Sequence, residues 1–292
     1  MTNQGTNIRD LDTFMERTFD GVIRVRDRYW SCAEVPTGPI SYPDLAHEQY
    51  ARLEATSYWF GHRNRCLAKV IGRFTPKGPI LDVGGGYGFV SWGLTQEGHA
   101  AIVLEPRLEA CAIASERGLP VIQGDFGAAR TRSGALDAVA LFDVIEHIAD
   151  DGEALRDIRD ALSDEGYLYI TVPSSPLLWS NVDVASGHYR RYTPASLSGL
   201  LGSCGFEPVF MAHLFSALTV PLFVLRTVPS VLGFKLAAAT QGREHMLPDN
   251  QIGRFIQHRL DDEYERLLGA PPTIGTSLLV VARKRAGSNP GK

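Results

Sequence analysis

The stretch Pro79-Ile80-Leu81-Asp82-Val83-Gly84-Gly85-Gly86-Tyr87-Gly88 decides the fold. A short apolar run, too short for a helix, stops at three consecutive glycines. That pattern predicts a buried strand entering a glycine turn, with a helix from about Phe89 to Glu97 closed by Gly98. Glycines there let backbone approach a ligand and supply positive φ, and the following helix N-terminus favours a polar or anionic group.

The same grammar repeats outward. Ala101–Leu104, Val121-Ile122, Ala135–Phe142 and Tyr167–Val172 read as strands, with helices over Arg107–Arg117 and Asp151–Leu162. Strands alternating with helices of this length predict an α/β, doubly wound, mostly parallel sheet. Pro194–Cys204 reads as an amphipathic helix with Thr193 as N-cap and Gly205 just past its end. Phe206–His213 and Ser277–Ala282 complete seven expected strands, the last of them antiparallel. The connection between those two is too long for a hairpin loop, so it carries structure of its own, including a charged helix over Gln251–Leu268.

Four units are expected. Residues 1–67 form an N-terminal helical cap of helices and loops, disordered over 1–10 and broken at Pro36, Pro39 and Pro43. Residues 68–213 and 275–285 form the core, 214–274 a helical insertion, and 286–292 a frayed tail.

Composition narrows the partners. A formal net charge of −4 gives no general affinity for phosphate backbones, and the basic residues at 190–191 and 283–285 do not form a stripe, so nucleic acid is not expected. Cys32, Cys66, Cys111 and Cys204 are far apart, without a C-x-x-C pair, which points to reduced thiols and a cytoplasmic protein. The start, Met1 to Asp10, lacks an apolar signal core. The apolar stretch Phe215–Phe234 is interrupted by Pro221, Arg226 and Pro229, so no transmembrane segment is expected. A lid, a dimer face or a membrane-surface contact all suit it, and the chain is expected as monomer or homodimer.

Three features favour a methyl donor over a dinucleotide. The turn reads Asp-x-Gly-x-Gly-x-Gly, not the spaced Gly-x-Gly-x-x-Gly of pyrophosphate sites. Glu105, ending the second strand about 20 residues beyond the glycines, lends the turn context in either class, since an acid there accepts ribose hydroxyls; alone, it is also an ordinary loop acid. Gly124-Asp125-Phe126 offers a carboxylate and an aromatic face after the third strand, and Phe142-Asp143-Val144-Ile145-Glu146-His147 follows the fourth.

On these motifs the chain resembles the class I S-adenosylmethionine-dependent methyltransferases, in the small-molecule branch similar to ubiquinone-type enzymes, over about Glu54 to Lys284. The resemblance implies S-adenosylmethionine as cofactor. Within the loop of Asp82, Gly84, Gly85, Gly86, Tyr87 and Gly88, it implies that Gly84, Gly86 and Gly88 line the methionine part. It likewise implies Glu105 at the ribose, Asp125 and Phe126 at the adenine, and Phe142 and Asp143 over the amino acid moiety. Tyr58-Trp59-Phe60-Gly61-His62-Arg63-Asn64-Arg65 resembles the aromatic helix such enzymes fold over the cofactor. By that likeness Trp59 and Arg63 face the cofactor, Arg63 at its carboxylate; otherwise this is a core helix whose arginines snorkel.

The acceptor is expected to be small and hydrophobic or aromatic, methylated at oxygen, with the insertion as roof; carbon and nitrogen remain open. His147 is the expected general base, since imidazole titrates near neutrality, with Glu146 orienting it or merely capping a turn. Packing at a helix start is the plainer alternative for His147. Gly187-His188-Tyr189-Arg190-Arg191-Tyr192-Thr193 also resembles the family's acceptor-side loop. There His188 is a second candidate base, and Arg191, Tyr192 and Tyr58 are candidate substrate contacts; local ion pairing and packing account for the same residues. No histidines stand at metal-ligand spacing, so no metal is expected, and no Gly-x-Ser-x-Gly elbow marks a hydrolase. A nicotinamide oxidoreductase and a non-catalytic cofactor-binding protein remain the other classes.

Overall fold

The computed structural model describes residues 8–35, 54, 56–234 and 246–285. Expectations for residues 1–7, the prolines at 36, 39 and 43, and the tail 286–292 lie outside the described residues.

The strands are β1 (Val22–Arg26), β2 (Tyr29–Cys32), β3 (Ile80–Val83), β4 (Ala101–Glu105), β5 (Val121–Gln123), β6 (Leu136–Phe142), β7 (Leu162–Pro173), β8 (Phe206–Leu214) and β9 (Ser277–Lys284). They form one sheet in the order β1-β2-β5-β4-β3-β6-β7-β9-β8. From β5 through β8 this is the expected seven-stranded core, and β9 runs antiparallel to both β7 and β8. The chain winds from β3 outward to β5, then crosses back to β6. The order therefore reverses between β3 and β6, where an open α/β sheet leaves a crevice at the strands' carboxyl ends.

The alternation of side chains along each strand builds two cores. Leu81, Val139, Leu141 and Ile170 face one side, against Leu155 and Ile158 of α6 (Asp151–Ala161) and Leu197 and Leu201 of α8 (Pro194–Ser203). Ile80, Ala138, Ala140 and Tyr169 face the other, against Leu67 and Val70 of α2 (Tyr58–Arg73) and Leu260 of α11 (Gln251–Arg266). Two-sided burial explains why the central strands read as unbroken apolar runs. The helix ends follow their capping residues. Thr193 caps α8 in a reciprocal capping box with Ser196, and Gly205 beyond it takes φ +83°.

Two expectations are corrected at the N-terminus. The disorder expected over 1–10 does not extend to residue 8, where α1 (Ile8–Thr18) begins. Nor is the N-terminal unit all helix and loop: β1 and β2 form a hairpin, and β2 pairs in parallel with β5, making nine strands instead of seven. Trp30 anchors it, 2% exposed. The alternation Val22-Ile23-Arg24-Val25-Arg26 was its signal, but the turn has Asp27-Arg28 with Arg28 at φ +53°, a position where glycine or asparagine usually announces a hairpin.

Within the insertion, the described residues are mostly helical. Short segments over Thr219–Leu222, Phe223–Thr227 and Val228–Val231 precede α11. Among the described residues no helix is long and apolar enough to cross a membrane.

Candidate active site

A cleft of about 660 Å³ opens at the reversal point, between the carboxyl ends of the central strands, α2 and the start of the insertion. The glycine turn forms one wall. Gly84 and Gly86 hold φ +70° and +54°, and Gly84, Gly85 and Gly86 all line the cleft. A Cβ on Gly84 would stand 3.0 Å from Val144 Cγ2, so a side chain there is strained in backbone and crowded in space. Tyr87 and Gly88 turn away from the cleft lining. Tyr87 is buried against Ala110, and Gly88 fits beside Ala114 and Leu119, whose nearest carbon would lie 2.6 Å from an added Cβ.

Buried acids stand behind this wall. The N–H groups of Gly86 and Arg107 donate to the two Glu105 oxygens at 3.1 and 3.0 Å. Burial pushes the Glu105 carboxyl up to about 7, against the pull of those two bonds. Asp82 accepts the Ser91 hydroxyl at 2.7 Å, while its Oδ1 has no partner among the described residues; burial raises it to about 6. Beyond them, Asp125 caps the turn over Phe126–Ala129 by accepting the Ala128 N–H at 2.8 Å, with Phe126 beside it in the lining.

On the other wall Arg63 of α2 pairs with Asp143, which also accepts the Thr171 hydroxyl at 3.1 Å. Asp143 sits at φ +57°, a left-handed conformation that a non-glycine residue holds only where its surroundings enforce it. Trp59 and Phe142 complete this side. Sequence reasoning did not single out Glu54, Leu222 or Arg226, which also line the cleft. Burial raises Glu54 to about 7, and nothing in local spacing announces it.

The acceptor-side residues converge at the far end. His147 and His188 meet edge to face, ring centroids 4.7 Å apart. Asp183, fully buried, lies 3.0 Å from His188 Nδ1 and accepts Arg191 Nε–H at 2.7 Å and the Ser180 N–H at 2.9 Å. Burial disfavours its charge, yet hydrogen bonds from His188 and Arg191 hold its carboxyl below the usual range. His147 Nδ1 has no partner among the described residues, and burial, then neighbouring His188, push its imidazole below the ordinary range. Glu146 is 1% exposed, its Oε2 without a partner among the described residues, and burial, then Asp143, raise it well above the usual carboxyl range. One ligand atom from each of Glu146, His147 and His188 lies within 4.8 Å of the others. That grouping comes from two distant loops, so local spacing did not reveal it.

Two expected substrate contacts lie elsewhere. Tyr192 is buried, its hydroxyl donating to Asp151 at 2.7 Å, and Tyr58 packs against the helical core; neither lines the cleft.

Residues 51–209, more than half of the chain, match the family described as Methyltransferase domain. A probable S-adenosylmethionine-dependent methyltransferase of Mycobacterium tuberculosis is 25% identical over 185 residues, 61% of this chain and 64% of that relative. The chain thus spans a little under two thirds of the curated relative's length. An S-adenosylmethionine-dependent methyltransferase of Thermotoga maritima shares the fold with a TM-score of 0.51 at 18% identity, over 82% of this chain and 95% of that one. A phosphoethanolamine N-methyltransferase of Haemonchus contortus, solved with phosphomonomethylethanolamine and S-adenosylhomocysteine, superposes with a TM-score of 0.53 at 17% identity, over 84% and 59%. By its matched domain, the chain belongs to the class I S-adenosylmethionine-dependent methyltransferases.

Proposed function

We propose that the cleft binds S-adenosylmethionine and that the chain transfers its methyl group to the oxygen of a small hydrophobic or aromatic acceptor, with His147 as general base. The residues fit the cofactor. Glu105 is a buried acid suited to ribose hydroxyls, Asp125 and Phe126 suit adenine, and the Arg63–Asp143 pair complements an amino acid's opposite charges. Asp82 Oδ1, without a partner among the described residues, offers a further buried acceptor. When bound, S-adenosylmethionine supplies an electrophilic methyl; every other requirement falls to the protein.

The observation that carries the base assignment is the buried His147 Nδ1, which has no partner among the described residues, in a ring that lines the cleft beside His188. An imidazole held neutral has a lone pair to take the hydroxyl proton as oxygen becomes nucleophilic. Asp183 fixes the His188 ring through Nδ1, as an orienting acid does in catalytic pairs. The insertion, through Leu222, covers this end with apolar surface. The test is methyl transfer to a panel of phenols, carboxylic acids and amines. Wild type should methylate a hydroxyl compound, and His147→Ala should lower turnover about 10²- to 10⁴-fold with S-adenosylhomocysteine affinity intact. Undiminished turnover would remove the base and favour an amine acceptor.

A second reading rests on Glu146, His147 and His188 as a divalent-cation site, with Asp183 as the outer carboxylate. Metal would then activate the hydroxyl in place of a base. Loss of activity on chelation, restored by a divalent ion, would favour it.

A further inference from the structure

Away from the reacting end, one buried carboxylate joins three segments distant in sequence. Glu263 of α11 is 1% exposed and fully bonded. Its Oε1 accepts the Phe215 N–H at 2.7 Å and lies 2.9 Å from His62 Nε2. Its Oε2 accepts both the N–H and the hydroxyl of Ser216 at 2.8 Å. The His62 contact ties it to α2, and the Phe215 and Ser216 contacts tie it to the first turn of the insertion.

That turn needs holding. Phe215 is fully buried and sits at φ +60°, a left-handed conformation unfavourable for an aromatic residue. Its ring stacks on Trp59 with centroids 3.7 Å apart and planes 6° from parallel. Trp59 lines the cleft on the cofactor side, and Leu222 and Arg226, seven and eleven residues beyond Phe215, line it on the acceptor side. Packing alone would not choose this geometry, because a left-handed phenylalanine is strained. Two N–H bonds to an ionised, buried oxygen pair offset that strain.

We propose that Glu263 is a positioning residue for methyl transfer: by fixing the Phe215 turn it sets Trp59 against the cofactor and the insertion over the acceptor. Glu263 touches neither ligand and acts through Phe215. The inference rests on the cofactor assignment above, which wild-type binding of S-adenosylhomocysteine tests separately.

The experiment is a double-mutant cycle on S-adenosylhomocysteine affinity. Calorimetry is run on wild type, Glu263→Gln, Trp59→Leu and the double variant, with melting temperatures measured alongside. Glutamine keeps the size but presents N–H donors where the site supplies donors of its own. The expected result is a loss of about tenfold on Glu263→Gln in wild type, and under about twofold in the Trp59→Leu background. An equal loss in both backgrounds would make Glu263 an ordinary stabilising residue and overturn the proposal, as would no loss in wild type. If Glu263→Gln does not fold, Glu263→Asp enters the same cycle, since it keeps the charge but draws the carboxylate back from the Phe215 and Ser216 N–H groups. The same two patterns then decide. Wild-type protein that fails to bind S-adenosylhomocysteine would remove the cofactor assignment, and the positioning role with it.

Discussion

The two ends of the cleft are built differently. The cofactor end is backbone and buried acid: a glycine turn, Glu105 gripped by two N–H groups, and Asp82 held by Ser91. The glycine turn, Asp82 and Glu105 come from the adjacent parallel strands β3 and β4, and Trp59 and Arg63 reach in from α2. The proposed acceptor end is assembled from side chains on three separate segments, His147, His188 and the helical Leu222–Arg226 stretch, under an insertion with much exposed apolar surface. A site made of main chain tolerates few substitutions, whereas one made of side chains on loops is free to vary.

If that contrast holds, mutations at the two ends should fail in different ways. The largest effect belongs to the acceptor end: His147→Ala, losing turnover by orders of magnitude with cofactor affinity preserved. Should both fall together, the ends are not independent. At the cofactor end, Gly84→Val should weaken S-adenosylhomocysteine binding about 100-fold, because valine at φ +70° beside Val144 forces the turn to move. Calorimetry reads this directly, and wild-type affinity would show that the turn does not touch the ligand.

A smaller effect follows from pH. The Glu105 carboxyl is raised from about 4.5 to about 7, so the folded chain holds a proton there that the unfolded chain releases. Below about 4.5 both states are protonated; between 4.5 and 7 rising pH draws a proton from the unfolded state first and disfavours folding. Accepting ribose hydroxyls needs the charged form, so affinity should climb by up to tenfold per unit toward about pH 7 and level off above it. Glu105→Gln should lower affinity and flatten that slope; a slope that survives belongs to another group. The smallest change is expected on the roof's outer face. Leu225 is 63% exposed, and Leu225→Ser should shift stability by less than about 0.5 kcal/mol in a denaturant melt. A larger loss would mean that this face is covered in solution.

The same contrast sets what the sequence disclosed. Core strands, the reversal point and the acids at strand ends were legible because each is local: an apolar run, a glycine cluster, a carboxylate at the next turn. Tyr87 and Gly88 carry the same motif but face inward, since a turn that presents three glycines to the cleft must pack its remaining residues behind them. Tyr192 was drawn toward the site by its neighbours, whereas its hydroxyl is committed to Asp151. The convergence of Glu146, His147 and His188, and the Glu263 node, depend on contacts across 41 and 201 positions that no local period encodes.

The N-terminal hairpin has a consequence for how the protein meets copies of itself. Without it, β5 would end the sheet with open hydrogen-bonding groups, a template for an incoming strand. With it, the border moves to β1, where Arg24 and Arg26 project, both exposed, among Ile23 and Val25. The opposite border, β8, has Pro208 and a register break between Pro208 and Phe210. Charge guards one margin and a missing donor with a kink guards the other, so a nine-stranded sheet presents neither side as a seam for fibrous self-association.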